Sequence, residues 1–397
     1  MNRREFLVEA TAAAAGAIVV GASGPARAAS PSERVVLGVM GVNGRGRDLA
    51  QGFAKLPDAE IAYLCDVDQR ALDRCAAALS KSLRRAPKLV TDFRRILEDP
   101  GVDALVVATP DHWHAPATIL ACQAGKHVYC EKPASHNPWE GEQMVAAARK
   151  HQRVVQIGSQ RRSMPGVIEA VQRLQEGAIG RVLFAKGTYN NARASIGHGK
   201  VVPVPAALNY PLWEGPAPEL PYKDNLIHYN WHWFWHWGTG ELGNNGIHAL
   251  DVCRWGLGVT YPERVTAGGG KYCHDDDQET PDTYVVTYDY GDKGITWEAR
   301  SWHPRAFEGQ QFGIVFYGDQ GTLLIEDGGY RILDKAGKET AVVKAPADDQ
   351  PHKRDFLSCV RTGERPKADV EVGVASTLLC HLGNIAYRTG HVLNTDP

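Results

Sequence analysis

Hydrophobic positions in the first half of the chain follow two alternating patterns. Short runs of Val, Ile and Leu, of which VVLGVM at positions 35–40 is the first, are separated by stretches whose apolar residues recur every three or four positions. A short continuous apolar run predicts a strand buried on both faces, and the longer repeat predicts an amphipathic helix. Strands and helices that alternate in this way predict the α/β class, with a doubly wound parallel sheet over residues 33–158.

The second half of the chain is richer in segments whose apolar and polar residues alternate with a period of two. Four segments show this pattern: RVLFAKGTYNNA, TYVVTYDYG, GITWEARSW and FGIVFYG. Such alternation predicts strands with one buried and one solvated face. We therefore predict an α+β domain over residues 159–397, with an open, mostly antiparallel sheet, helices on one side, and a position over the first domain.

The first 28 residues have the composition of an export signal. Basic residues come first, an alanine-rich apolar run follows, and Ala26-Arg27-Ala28 forms a small-x-small cleavage pattern. The apolar run is too short to anchor the chain in a bilayer. Arg3-Arg4-Glu5-Phe6-Leu7 resembles the bacterial twin-arginine signal, whose machinery transports folded proteins. We therefore expect a periplasmic or secreted protein that folds around its cofactor before export.

Composition narrows the classes of partner. The chain is 43% hydrophobic and 23% charged with a net charge of -2, which is typical of a globular protein and argues against nucleic acid as a partner. Its eight cysteines are scattered singly, without the spacing of a zinc site, and we expect mostly buried thiols. His232 and His236 stand four apart but have no third partner in the sequence, so no metal site is predicted.

A glycine-rich turn follows the first predicted strand and opens the next helix. Glycines here permit a tight turn and close approach of the backbone to a pyrophosphate at the helix N-terminus. Asn43 takes the usual place of the second glycine, and asparagine tolerates positive φ better than most residues. Asp66, at the end of the second strand, would accept hydrogen bonds from the adenosine ribose and favours NAD, while nearby Arg70 leaves NADP as an alternative. The predicted cofactor-binding residues in this region are Gly41, Asn43, Gly44, Arg45, Gly46 and Asp66.

Two further motifs carry a family resemblance that extends over essentially all of the chain after the leader. Thr109-Pro110-Asp111-His112-Trp113-His114 and Glu131-Lys132-Pro133 resemble those of the glucose-fructose oxidoreductase, inositol dehydrogenase and rhizopine catabolism family (Gfo/Idh/MocA). The resemblance implies a Rossmann domain that binds NAD and a second domain that binds a sugar or cyclitol. It adds these residues to the cofactor site: Thr109, Pro110, His114, Glu131 and Lys132.

The same resemblance implies the catalytic residues Lys132, His248 and Asn244. The family commonly has an aspartate at the position of Asn244, and an amide cannot relay a proton as a carboxylate can. Oxidation of an alcohol requires a base within about 3 Å of the hydroxyl oxygen. We favour His248 as that base, with Lys132 orienting and polarising the hydroxyl, because histidine needs no large pKa shift. The opposite assignment is an open alternative.

An aromatic segment, HYNWHWFWHWG at positions 228–238, contains four tryptophans within seven residues. Flat amphipathic rings stack on the apolar faces of sugars, so the segment predicts a carbohydrate cleft, with an aromatic subunit interface as the alternative. Asn190, Asn191, Trp302, His303 and Arg305 are further possible neighbours of the cleft. The candidate substrate-binding residues are Arg161, Tyr189, Trp231, His232, Trp235 and His236.

Three functions follow from these features. The first is a periplasmic oxidoreductase with tightly bound NAD that acts on a hydroxyl of a sugar, glycoside or cyclitol. The second is an NAD-dependent enzyme that cleaves glycosides by transient oxidation, elimination and re-reduction, because the chain shows no recognisable carboxylate pair for direct hydrolysis. The third is a sugar-binding protein that keeps NAD as a structural element. A homodimer or homotetramer is expected in each case.

Overall fold

The computed structural model describes residues 34–307 and 309–396. The predicted export signal, residues 1–28, lies outside the described residues. Six parallel strands form the N-terminal sheet in the order β3-β2-β1-β4-β5-β6, which is the order of a doubly wound dinucleotide-binding sheet. These strands are β1 (Val35–Met40), β2 (Ala59–Cys65), β3 (Lys88–Val90), β4 (Ala104–Val107), β5 (His127–Cys130) and β6 (Val155–Ile157).

Helices connect these strands, and local sequence explains where several of them begin. Asp68 and Asn137 cap two helices, because their side chains accept hydrogen bonds from the free backbone N–H groups of Arg70 and Glu140. Pro138 takes the first helical position, where no N–H is needed. The helices are α1 (Arg45–Ala54), α2 (Gln69–Leu79), α3 (Arg94–Leu97), α4 (His114–Gln123) and α5 (Pro138–Lys150).

Nine strands form the second sheet, and every neighbouring pair is antiparallel except β7 with β10. The prediction of an α/β protein with an open, mostly antiparallel second sheet is confirmed. The strands are β7 (Val182–Asn190), β8 (Arg264–Gly270), β9 (Thr283–Asp289), β10 (Gly294–Arg300), β11 (Phe312–Gly318), β12 (Gly321–Ile325), β13 (Tyr330–Asp334), β14 (Glu339–Val343) and β15 (Leu393–Asn394).

Helices cover one face of the second sheet. Trp297, Tyr284 and Tyr288 of the sheet are fully buried in this core, and the Tyr288 hydroxyl donates to the carbonyl oxygen of Leu379. The remaining helices are α6 (Pro165–Gln175), α7 (Tyr210–Glu214), α8 (Ile247–Leu257), α9 (Gln350–Thr362) and α10 (Val370–Thr389).

Helix α9 completes the core of the N-terminal sheet, although it comes late in the chain. The ring of Phe356 lies 6.2 Å from that of Phe53 and 5.8 Å from that of Tyr129, and all three side chains are fully buried. Helix α9 follows all but the last strand of the second sheet in the chain but packs against the first sheet, so the two sheets belong to one packed body.

A long segment between β7 and α8 crosses to the N-terminal sheet. We call residues 201–238 the strap. The strap has its own hydrophobic cluster, which includes Tyr210, Trp213, Leu226 and Trp237. Over residues 34–307 and 309–396, no helix is both long and apolar enough to span a membrane.

Candidate active site

A cavity of about 940 Å³ lies at the carboxyl ends of the parallel strands, where doubly wound sheets bind ligands. The N-terminal sheet, the turn before α8 and the strap all contribute to its lining. It brings together most of the residues predicted from sequence: Gly41, Asn43, Gly44, Arg45, Asp66, Thr109, Pro110, His114, Glu131, Lys132, Trp231, His232, Asn244 and His248.

The glycine turn has the geometry of a phosphate-binding turn. Gly41 has a φ of +83°, and a Cβ atom there would lie 2.6 Å from the Ala108 carbonyl oxygen. A Cβ on Gly46 would lie 1.8 Å from the Gly41 carbonyl oxygen, so Gly46 keeps the turn closed rather than lining the cavity. A Cβ on Gly44 would meet nothing within 4 Å. The turn therefore presents open backbone at the N-terminus of α1, which fits a dinucleotide pyrophosphate.

The structure corrects the reason given for Asn43. Gln152 is the one non-glycine residue with positive φ in the described part of the chain, so Asn43 does not use its tolerance of that conformation. Its side-chain oxygen instead accepts a hydrogen bond from Arg74 Nη2 over 2.8 Å. Asn43 still lines the cavity.

Asp66 lies directly after β2 and is almost completely buried. Its carboxylate accepts hydrogen bonds from the backbone N–H groups of Val42, over 2.8 Å, and Asp68, over 3.0 Å. Burial raises the pKa of Asp66. A carboxylate has further acceptor sites beyond these two, as a ribose would require. The Arg70 guanidinium is bound to Asp68 over 2.7 Å.

The two sequence motifs meet beside the glycine turn. The His114 ring is held between two carbonyl oxygens, with Nδ1 2.6 Å from that of Pro133 and Nε2 2.9 Å from that of Thr109. Arg45 Nε donates to Glu131 Oε1 over 2.8 Å. Burial opposes ionisation of Glu131, but the charges of Arg45 and Lys132 hold its pKa below the usual value. The helix α1 and the Glu-Lys-Pro motif are thus joined by a partly buried ion pair.

Lys132 is held by the turn that precedes α8. Its Nζ donates to the backbone carbonyl oxygen of Asn244 over 2.7 Å and lies 3.4 Å from the Asn244 side-chain oxygen. Burial lowers the pKa of Lys132, while the negative charges of Glu131, Asp111 and Glu241 oppose that shift. Burial prevails over these charges, so the pKa of Lys132 at the cavity wall lies below its usual value.

His248 lies in the first turn of α8, just after the π-helical turn Leu242–Gly246. Burial and the nearby charges of Lys132 and Arg161 lower the pKa of His248 well below its usual value. Within the part of the chain that the structure describes, no protein group hydrogen-bonds to its imidazole. A neutral imidazole with a free nitrogen can accept a proton from a bound hydroxyl group.

A buried carboxylate that sequence reasoning missed supports this turn. Glu241 is 2% exposed and pairs with Arg193, whose Nε lies 2.9 Å from Glu241 Oε2. The Asn244 side-chain amide donates to Glu241 Oε1 over 3.4 Å, and the Asn245 amide donates to the same oxygen. The sequence does contain a signal for this contact. Glu241 and Asn244 are three residues apart, and residues with that spacing on a helical turn are neighbours. Glu241 thus supplies a negative charge close to the place where relatives commonly have an aspartate.

Two of the six candidate substrate residues line the cavity. The rings of Trp231 and His232 are stacked with their centroids 3.6 Å apart. His232 Nδ1 donates to the Tyr229 carbonyl oxygen over 2.6 Å. Burial lowers the pKa of His232 to about 3, so its ring is neutral and Nε2 is an acceptor.

The other four candidates do not line the cavity and make contacts elsewhere. The Arg161 guanidinium lies 4.6 Å from the ring centroid of Phe312, and the Tyr189 hydroxyl accepts from Arg193 over 3.0 Å. Arg388 covers the Trp235 ring at 4.9 Å, and His236 Nε2 donates to the Pro218 carbonyl oxygen over 2.6 Å. Their contacts with a substrate stay predictions.

Residues 34–307 and 309–396 contain neither a cluster of metal ligands nor a disulfide. No group of three His, Cys, Asp or Glu side chains there could hold a metal ion. His232 lies in a short 3₁₀ turn rather than an α-helix, so it does not share a face with His236. All eight cysteines are unpaired, and Cys273 is the exposed one among them.

Comparison with known proteins places this geometry in a family. The oxidoreductase family profile for an NAD-binding Rossmann fold, GFO_IDH_MocA, matches residues 35–159, and the profile for the C-terminal alpha/beta domain of the same family matches residues 188–397. Together they cover most of the chain.

Two curated relatives match over part of their length. Levoglucosan dehydrogenase of Pseudarthrobacter phenanthrenivorans is 39% identical over 191 residues, which are 45% of this chain and 42% of the relative. A glycosyl hydrolase family 109 protein of Saccharopolyspora erythraea is 31% identical over 209 residues, 47% of this chain and 45% of the relative. The chain thus matches less than half the length of either protein.

Solved structures share the whole fold. Levoglucosan dehydrogenase in complex with NADH and levoglucosan has a TM-score of 0.72 at 18% identity, covering 92% of this chain and 100% of that one. An aldose-aldose oxidoreductase from Caulobacter crescentus has a TM-score of 0.70 at 19% identity, covering 91% and 100%. The predicted family and NAD-binding fold are confirmed: this chain belongs to the Gfo/Idh/MocA oxidoreductase family, with its NAD-binding Rossmann fold and C-terminal alpha/beta domain.

Proposed function

We propose that this protein is an NAD-dependent oxidoreductase that oxidises a hydroxyl group of a sugar, glycoside or cyclitol. The observation that carries the proposal is the convergence of Lys132 and His248 on the cavity that begins at the glycine turn. The names of the relatives, a levoglucosan dehydrogenase and an aldose-aldose oxidoreductase, support a carbohydrate substrate.

The residues divide the chemistry of alcohol oxidation between them. Bound NAD supplies a ring that accepts a hydride. His248 takes the hydroxyl proton, because its imidazole is neutral and has no hydrogen-bond partner among residues 34–307 and 309–396. Lys132 donates a hydrogen bond to the same oxygen and stabilises the negative charge that develops there. Asn244 holds the Lys132 ammonium in place through its backbone carbonyl oxygen.

Residues of the N-terminal sheet would hold the cofactor. The open backbone at Gly44 suits the pyrophosphate, and the Asp66 carboxylate suits the ribose hydroxyls while repelling a 2′-phosphate. Arg70 is committed to Asp68, which leaves less positive charge for an NADP phosphate. We therefore propose NAD rather than NADP as the natural cofactor.

A second candidate function is redox-neutral cleavage of a glycoside. The specific observation in its favour is the relative described as a glycosyl hydrolase family 109 protein. Transient oxidation of a ring hydroxyl acidifies the neighbouring C–H, and elimination expels the aglycone and leaves a double bond. Water then adds to that double bond, and return of the hydride to the carbonyl carbon restores the hydroxyl. The same base and the same ammonium would serve these steps.

Location and assembly complete the proposal. The twin-arginine pattern supports export to the periplasm with the cofactor already bound, because free NAD is not supplied there. A homodimer or homotetramer is proposed from the family resemblance, which implies that the second sheet pairs with another copy of the chain.

The decisive experiment uses protein purified from its native host, without added cofactor. Sugars, cyclitols and nitrophenyl glycosides are offered in turn, while nicotinamide absorbance and nitrophenol release are followed. Reduction of bound NAD by a sugar supports the oxidoreductase, and nitrophenol release without net reduction supports glycoside cleavage. Sugar binding without either change, together with unaltered binding in Lys132→Ala, would overturn both in favour of a binding protein.

A further inference from the structure

The strap contacts the N-terminal domain at several points, and one of them is the adenosine end of the cofactor groove. The backbone N–H of Gln69 donates to the Ala207 carbonyl oxygen over 2.9 Å, and that of Asn209 donates to the Val67 carbonyl oxygen over 2.8 Å. These two contacts lie immediately after Asp66. The strap is therefore fastened directly beside the carboxylate that suits the adenosine ribose.

The strap also forms a wall of the groove at that end. Leu212, Trp213 and Gly215 line the cavity, as do Asp92 and Phe93 from the N-terminal sheet. The cavity is thus bounded on both sides by residues that are about 120 positions apart in the chain.

Trp113 joins these two walls. Its indole Nε1 donates to the carbonyl oxygens of Leu212, over 3.2 Å, and Trp213, over 3.1 Å, while its ring lies 5.6 Å from that of Phe93. His112 Nε2 donates to the same Trp213 oxygen over 2.9 Å. Helix α7 is therefore bound to the N-terminal domain through the side chains of His112 and Trp113.

Gly215 permits the close approach of the strap to this indole. Its φ is +51°, and a Cβ atom there would lie 2.0 Å from the Trp113 ring. Any side chain at this position must push the strap away from the ring.

A hydrogen bond between His228 and Asp68 fastens the strap farther along the chain. His228 Nε2 lies 2.8 Å from Asp68 Oδ2, and the Asp68 side chain is fully buried. Asp68 also binds Arg70 and caps α2, so its position is fixed by the N-terminal sheet. His228 lines the cavity as well.

The strap behaves as one packed piece rather than as a loose loop. Trp213 stacks on Tyr210 with the ring centroids 5.7 Å apart and also contacts Trp237 at 5.3 Å. Val201 and Lys223 close the segment with a β-bridge. Because the strap is packed as one body, it must move away from the N-terminal sheet as a whole. Its contacts with that sheet must then break together.

We propose that the strap is a clasp that retains the dinucleotide, closing over its adenosine half and slowing its release. The inference rests on the proposed cofactor and deepens it, since it assigns cofactor retention to residues of the second domain. Such a clasp would let one bound NAD serve repeated catalytic cycles without exchange with free cofactor.

The test measures cofactor release, not sugar turnover. The full-length protein is loaded with NADH and diluted into excess NAD, and the loss of nicotinamide fluorescence gives the release rate. Gly215→Ala is compared with Gly197→Ala, where φ is +64° and a Cβ would meet nothing within 4 Å. Both positions have positive φ, but only Gly215→Ala places a Cβ atom against the Trp113 ring.

We expect Gly215→Ala to release NADH about tenfold faster than wild type, as loss of one of the hydrogen bonds that Trp113 donates to the strap implies. Gly197→Ala should release it at nearly the wild-type rate. Equal rates in both variants and wild type would overturn the clasp.

His228→Ala gives an independent reading if Gly215→Ala does not fold, which circular dichroism would reveal. Its release should also accelerate, and an unchanged rate in a folded His228→Ala protein would refute the clasp on its own. Failure of the proposed function looks different: NADH would still be held tightly, but no sugar would reduce bound NAD. A folded protein that takes up no dinucleotide would overturn both.

Discussion

The ammonium nitrogen of Lys132 donates a hydrogen bond to the backbone carbonyl oxygen of Asn244 over 2.7 Å. This bond joins the Glu-Lys-Pro motif after β5 to the turn that begins α8. Because the acceptor is a backbone atom, the side chain at position 244 can change without loss of the contact. The backbone of the turn therefore positions Lys132, and the charges of the surrounding side chains shift its pKa.

Replacement of Lys132 by methionine should abolish most turnover while leaving the cofactor bound. Methionine keeps much of the apolar stem but cannot donate to the substrate oxygen, and we expect kcat to fall about a hundredfold or more. Steady-state kinetics and NADH fluorescence titration would measure the two effects. The exposed Lys81→Met serves as the control. Near-normal kcat in Lys132→Met would contradict the assigned role.

Charge changes beside Lys132 should move its pKa in opposite directions. Glu241→Gln removes a negative charge that raises the pKa of Lys132, so the decline of kcat/KM at high pH should shift to lower pH. Asn244→Asp adds a negative charge at the lysine and should shift that decline to higher pH. Complete pH profiles of both variants would show this. A shift of both variants in the same direction would argue against Lys132 as the titrating group.

His248 should remain an effective base under mildly acidic conditions. Its pKa lies well below the usual value of about 6.5, so the neutral form persists as the pH falls and activity is lost only when that lower pKa is crossed. The acidic decline of kcat/KM should therefore lie below about pH 6.5. His248→Gln should abolish most of the activity, and the activity that is left should show no acidic decline of kcat/KM. An acidic decline at or above the ordinary histidine pKa, or a limb retained in His248→Gln, would refute the assignment.

Two glycines of the same turn should respond differently to alanine. Gly46→Ala places a Cβ 1.8 Å from the Gly41 carbonyl oxygen and should destabilise the fold by about 1–3 kcal/mol. Gly44→Ala meets no protein atom within 4 Å but replaces the N-cap glycine of α1, so it should cost less stability than Gly46→Ala while weakening NADH binding. Urea unfolding and NADH titration separate the two effects. Undiminished NADH affinity in Gly44→Ala would show that the pyrophosphate does not lie there.

Acid should unfold the protein, because burial lowers the pKa of several histidines. His112, His232 and His381 have pKa values of about 3, and His127 and His352 of about 4. The unfolded chain binds these protons near pH 6.5, the folded chain only at much lower pH, so stability is lost as the pH falls between those values. Each histidine contributes up to about 1.4 kcal/mol per pH unit in that window.

A single substitution can isolate one of these contributions. The Nδ1 atom of His127 accepts a hydrogen bond from the Val154 backbone N–H over 3.0 Å, and an asparagine oxygen can replace that acceptor without titrating. His127→Asn should flatten the dependence of unfolding free energy on pH, while the exposed His391→Asn should not. Urea unfolding at several pH values provides the measurement. Identical slopes in the two variants would argue against the buried-histidine explanation.

Regular periodicity accounts for most of what the sequence predicted. The alternating pattern led to the parallel sheet, and fixed spacing after strands placed Gly41 and Asp66 at one edge of it, whereas Lys132 was identified through the family resemblance. His248 required the family resemblance, because a lone histidine at the start of an apolar helix is usually a core residue. Glu241 was missed because its partner Arg193 is 48 residues away, in a segment without regular structure.

The aromatic segment shows why irregular regions resist such prediction. Its backbone is a short 3₁₀ turn followed by coil, so no period tells which side chains share a face. Trp231 lines the cavity, whereas Trp233 and Trp237 are buried and Trp235 lies under Arg388. Composition indicated an aromatic cluster, but much of it forms the strap's own core.

Helix α9 comes late in the chain, so the core of the first sheet can be completed only near the end of synthesis. Phe53 and Tyr129 emerge from the ribosome long before Phe356, the residue that covers them. Until about nine-tenths of the chain has been made, the first sheet keeps an apolar flank open to water. The nucleotide-binding half is therefore not an autonomous folding unit, and a polypeptide that stops before α9 would be a substrate for chaperones and proteases rather than a smaller working domain.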